Sequence, residues 1–141
     1  MKASLLALLT AVAWGVGGYF EKKGLHAGDL SPQVGAFLRT AVALVVLGLA
    51  SGPQLRQLAA APPRAWVAIA VGGGVVAGGL GILCFYAALR AAPIQQVMPI
   101  AFTAPLFGAL AALALGGEAI TPRTAVGMVL TLLGIGLIAS R

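Results

Sequence analysis

The stretch FYAALRAAPIQQVMPIAFTAPLFGALAALAL, residues 85–115, decides the fold. Arg90 to Pro93 interrupt it once, and from Ile94 to Leu115 it carries no charged residue. A helix needs roughly 20 residues, at about 1.5 Å each, to cross a hydrocarbon core about 30 Å thick. Working outward, four further apolar runs appear: Trp66–Leu89 before it, Thr124–Ala139 after it, and Ala3–Phe20 and Gln33–Leu49 nearer the start. A water-soluble domain of 141 residues could not hide so much apolar sequence. In lipid, a helix satisfies its backbone hydrogen bonds internally. The expectation is an all-α, polytopic transmembrane helical bundle of five spans.

Composition agrees. Apolar residues make up 60% of the chain and charged residues 9%, against about 45–50% and 25% in soluble domains. The net charge of +6 comes from Lys and Arg scattered over loops and ends, with no aromatic-basic cluster to suggest nucleic acid. A single cysteine, Cys84, excludes a disulfide framework within the chain, and no spacing suggests a metal site or another cofactor. It is expected to be a small buried apolar residue. The start resembles a signal peptide, with Ala11-Val12-Ala13 as a cleavage-like site, but the apolar run continues to Phe20; a retained first helix is expected.

Short connections carry helix punctuation. Ser31-Pro32 and Thr121-Pro122 each read as an N-cap followed by proline at the first helical position. Between Ser51 and Arg64, three prolines surround a segment that the pattern leaves open between a surface helix and irregular chain. Small residues are dense: Gly72, Gly73, Gly74, Gly78, Gly79 and Gly81 in span three, Ala104, Gly108, Ala112 and Gly116 in span four, and Gly127, Thr131 and Gly134 in span five. Such faces let helices approach closely in lipid. For span three, close packing stands open beside a functional reading in which the glycines let it flex or leave room for a substrate.

In order and spacing, AVAWGVGGYFEKKGL (11–25), FLR (37–39) and FYAALRAAPIQQVMPIAFTAPLFGALAALALGGEAITPRTAVGMVLTLLGIGLI (85–138) resemble the EamA-type domain of the drug/metabolite transporter superfamily. The resemblance covers essentially the whole chain. It implies one half of a ten-helix transporter built from two five-span repeats of opposite orientation, and export or exchange of small metabolites. No particular substrate is implied.

Span four is the candidate translocation-path helix. Pro99 and Pro105 remove amide donors and free carbonyls at membrane depth, which is tolerated beside a cavity or a protein partner. Gln96, Pro99 and Thr103 share one face. The resemblance adds Trp14 as a possible wall of the path, with gap-filling as its alternative. Tyr86 carries either role, path or interface anchor. Arg39, two turns into span two, is either a snorkelling cation or a path-lining one. Glu118 is expected to act as a helix-end ion pair or cap, with a gate role next. Glu21, Asp29 and His26 are expected in a solvated loop. No Asp or Glu lies centrally in a span, which predicts facilitated diffusion or exchange rather than proton antiport through a midplane carboxylate.

No nucleophile and base are placed together in any span, so no enzyme is expected. The expected function is a small-metabolite transporter, an exporter or exchanger, working as a dimer by alternating access in the cell (inner) membrane if the source is bacterial. The alternative is an accessory subunit of a larger membrane complex, or half of a heteromeric lipid-carrier flippase. Partners are a small-molecule substrate, the bilayer and a second copy of the chain. With five spans, Lys2, Arg56, Arg64 and Arg123 fall on one side and Lys22, Lys23, Arg90 and Arg141 on the other. With Arg39 inside span two and nearer the second side, the difference is at most one, too small to set an orientation. An antiparallel pair with dual topology is therefore expected.

Overall fold

Amide groups without partners at a helix start fix where two of the spans begin. The Ser31 hydroxyl accepts from the Val34 amide at 3.4 Å, and Pro32, which has no amide hydrogen to satisfy, opens helix α2 (Pro32–Ser51). The Thr121 hydroxyl does the same for the Thr124 amide at 3.2 Å, opening the helix Pro122–Ala139. Both caps stand where the sequence puts them.

The structure is a computed structural model that describes residues 2–115 and 120–139. Helix α1 spans Lys2–Ala27. After α2, Gly52–Leu55 forms a 3₁₀ turn, followed by α3 (Arg56–Ala60). Gly52, at φ 29°, makes the bend there, a conformation that glycine adopts without a Cβ penalty. The segment left open by the sequence is thus largely helical. Span three is continuous but not uniform: α4 (Pro63–Ala68), a π-helix over Ile69–Gly81, and α5 (Ile82–Ala91). Span four is broken into α6 (Ile94–Ala101) and α7 (Ala104–Ala114), and α8 (Pro122–Ala139) follows.

Ala3–Ala27, Pro32–Ala60, Pro63–Ala91 and Ile94–Ala114 are each long and apolar enough to cross a membrane. The fifth helix, α8, has 18 residues, about 27 Å in α geometry. The chain is a multi-pass helical membrane protein. One boundary differs: α1 runs past Phe20 to Ala27. Glu21, Lys22, Lys23 and His26 are therefore helical, and a helix offers them partners that a loop would not. The His26 Nδ1 lies 2.9 Å from the Lys22 carbonyl, one turn back.

The chain forms two compact units, Tyr19–Ala91 and Met1–Gly18 with Ala92–Arg141. In the first, Leu25, Ala36, Tyr86 and Leu89 are buried. Gly35 makes their packing possible. A Cβ there would lie 2.6 Å from Leu25 Cδ2 and 2.8 Å from Tyr86 Cδ1 and Cε1. Tyr86 is buried, and its ring fills the space that Gly35 leaves. Cys84, expected to be buried, is exposed.

In the second unit, α6 packs against α8 and Val97 is buried. Among the described residues, nothing fills the small faces of spans four and five at their glycines. A Cβ at Gly108, Gly127 or Gly134 would have no neighbour within 4 Å, and the same holds at Gly15 and Gly17 of α1. Gly116 lies outside the described residues.

Candidate functional site

The break in span four follows from its two prolines. Pro99 sits inside α6 without an amide hydrogen, and Pro105 occupies the first turn of α7, where none is needed. Between them the backbone tightens. The Phe102 amide donates to the Met98 carbonyl at 2.9 Å and the Thr103 amide to the Ile100 carbonyl at 3.1 Å. The Thr103 hydroxyl donates to that same Ile100 oxygen at 2.8 Å, adding a second donor where the helix ends. Thr103 therefore secures the break.

Gln96, Pro99 and Thr103 are all half-buried, as a shared, partly covered face requires. Trp14 reaches this region: its ring lies 6.4 Å from that of Phe102 at an interplanar angle of 30°. Gln96 also lines a cavity of about 530 Å³ with Pro93, Gln95, Leu137 and Ile138. The structure thus groups Trp14 with the span-four residues of one unit. The spacing that selected Gln96 did not reveal Gln95 or the last turn of α8, because their meeting depends on how α6 and α8 pack.

The other unit holds a polar cluster. The Arg39 Nε donates to Glu21 Oε1 at 2.7 Å, linking α2 to α1. Glu21 is thus not a loop carboxylate, and Arg39 is an ion-paired residue of span two. Tyr86 lies within electrostatic reach of both. Nearby, the ends of α1 and α5 cap each other. The Lys22 Nζ donates to the Leu89 carbonyl at 2.6 Å and the Arg90 Nη1 to the Leu25 carbonyl at 3.0 Å. Cations at helix C-termini satisfy orphan carbonyls and meet the negative end of the helix dipole. Glu118 lies outside the described residues.

Asp29 completes this end of α1. It has φ 45°, and the Leu30 amide donates to the Leu25 carbonyl at 3.0 Å, a Schellman-type closure. Its carboxylate pairs with Arg90, whose hydrogen bond and positive charge hold the Asp29 carboxyl below the usual aspartate range. A depressed pKa adds stability above the unfolded value, about 3.9, and that contribution disappears as pH falls through the folded value. Asn tolerates the same left-handed backbone. Asp29→Asn should therefore lower the melting temperature slightly at pH 7. The difference from the parent should shrink as the pH falls below about 4. A difference that stays constant across that range would show that the carboxylate charge is not responsible.

Comparison with known proteins agrees with this architecture. The EamA-like transporter family model matches residues 1–140. An uncharacterized protein of Pseudomonas aeruginosa is 34% identical over 136 residues, covering 96% of this chain and 45% of that protein. The chain thus spans about half the length of this curated relative. No solved structure matches it. Five membrane-directed helices, a proline-broken fourth span and a family match over nearly every residue lead to one assignment: the chain belongs to the EamA-like transporter family.

Proposed function

We propose that this chain is one half of a small-metabolite exporter or exchanger that works by alternating access with a second five-span unit, supplied by another copy of itself in the opposite orientation. The observation that carries the reading is the broken fourth span. Interrupted helices whose freed backbone groups line a cavity are how secondary transporters build substrate sites. Here the path is formed by Gln96, Pro99 and Thr103, with Trp14 as its aromatic wall. Arg39 and Tyr86 serve by fixing the packing of α1, α2 and α5, and Glu118 follows span four as a helix-end ion pair or gate.

Two observations support a second five-span unit. The relative from Pseudomonas aeruginosa is more than twice the length that this chain matches. The glycines of α1, α7 and α8 that face no neighbour within 4 Å offer faces for close helix contact.

The test is counterflow of radiolabelled metabolite pools into liposomes holding only this chain. Thr103→Leu is expected to slow uptake severalfold while leaving folded yield nearly unchanged, because the hydroxyl bond at the break is lost without filling a packed site. Thr103→Leu uptake equal to the parent would refute the path. A different partner chain could occupy the same open glycine faces. The liposomes would then move nothing until that partner was added, favouring the accessory-subunit reading.

A further inference from the structure

Six of the thirteen residues from Ile69 to Gly81 are glycine, and all thirteen lie in a π-helix. In this register each amide donates to the carbonyl five residues back, and such segments ordinarily last a single turn. Among these glycines, Gly78 is the one at which the register leaves least room for a Cβ. A Cβ at Gly78 would lie 3.0 Å from the Gly73 carbonyl oxygen, one at Gly81 3.4 Å from that of Val76, and one at Gly79 3.6 Å from that of Gly74. In each case the oxygen belongs to the residue five positions back, which the π register brings against the turn. At Gly72, by contrast, a Cβ would have no neighbour within 4 Å.

Packing does not hold this register in place. None of the thirteen residues is buried. The two flanks differ in how firmly they are held. On the C-terminal side, α5 is anchored by the buried Tyr86 and Leu89 and by the bond from Arg90 to the Leu25 carbonyl. On the N-terminal side, α4 has no buried residue, and Trp66 and Val67 are each 48% exposed.

We infer that the third span is a register switch, in which Ile69–Gly81 exchanges between π and α hydrogen bonding while α5 stays fixed. The α register is narrower and longer for the same residues. Conversion therefore extends the span and turns α4 about its axis, carrying Trp66 with it. Each amide exchanges one carbonyl for its neighbour, so no hydrogen bond is lost overall. Register shifts of this kind fall in the microsecond-to-millisecond range. The use of the switch as a moving part of transport rests on the transporter reading above; the switch itself does not.

The test uses the full chain in lipid nanodiscs, with Cys84→Ser removing the native thiol. Spin labels at Arg64→Cys and Ala87→Cys then bracket the segment for pulsed distance measurement. Gly78→Ala places a methyl against the Gly73 carbonyl in the π register and should favour the α register. Gly72→Ala raises intrinsic helix propensity equally but meets nothing. The expected result is a longer label distance and severalfold slower counterflow for Gly78→Ala, with both unchanged for Gly72→Ala. If Gly78→Ala does not fold, Gly81→Ala should give a smaller lengthening in the same direction. Equal distances in the glycine-to-alanine pair would overturn the switch. A longer distance with undiminished counterflow would leave the switch standing and overturn its role in transport.

Discussion

Gly35→Val should abolish most folded protein, and Gly35→Ala alone should lower its stability by roughly 1–3 kcal/mol, the usual cost of overpacking a filled interior. The reason is local. The Cβ position at Gly35 is 2.6 Å from Leu25 Cδ2 and 2.8 Å from two ring carbons of Tyr86. The leucine methyl can rotate away. The ring cannot, because Tyr86 is only 2% exposed. Gly48 is the control in the same helix, since a Cβ there meets nothing within 4 Å. Gly48→Ala should be neutral or stabilise by up to about 1 kcal/mol through helix propensity. Thermal melts in detergent, read by loss of the monodisperse species, separate the two. Equal melting temperatures for Gly35→Ala and Gly48→Ala would refute the close approach of α2 to α1 and α5.

Glu21→Ala should be the next most damaging change. It leaves Arg39 in span two without the carboxylate that its Nε now meets at 2.7 Å. An unpaired guanidinium at the centre of a span costs about 2.5–3.5 kcal/mol on insertion scales. Arg39 is eight positions into α2 and its side chain is 36% exposed, so this value is an upper bound. Breaking a pair costs more than removing it. Hence Glu21→Ala combined with Arg39→Ala should be more stable than Glu21→Ala alone. The cycle is measured from folded yield and melting temperature of the four proteins. Strictly additive losses would show that the pair carries no coupling.

Much of the fold was legible because the bilayer imposes simple rules. Run length located the spans, and Ser31-Pro32 and Thr121-Pro122 marked two of their starts by capping chemistry. Pro99 and Pro105 indicated the break that lies between them. The misreadings share one cause, which is long-range packing. Glu21 follows an apolar run and precedes two lysines, a pattern that reads as loop. Its partner, Arg39, lies eighteen residues on and became visible only with α1 packed on α2. Gly35 is one of the chain's 20 glycines, and density drew attention to span three instead. The burial of Tyr86 and the exposure of Cys84 depend on which face of α5 meets α2. Sequence periodicity cannot assign that face when the whole span is apolar. The glycine run signalled an unusual segment, but a π register needs the backbone itself to be seen.

The central claim, that two copies work in opposite orientations, is tested most directly by measuring which side of the membrane one loop faces. Ala61 lies between α3 and α4, and Ala61→Cys in a Cys84→Ser background gives a single thiol there. A membrane-impermeant maleimide applied to intact cells making only this chain should label a substantial fraction of that thiol, with the remainder labelled only after permeabilisation. Adding two lysines to either side should collapse the mixture to one orientation and lower counterflow, and an oppositely biased copy should restore it. Labelling from one side only, in cells where the chain is active by itself, would contradict the account.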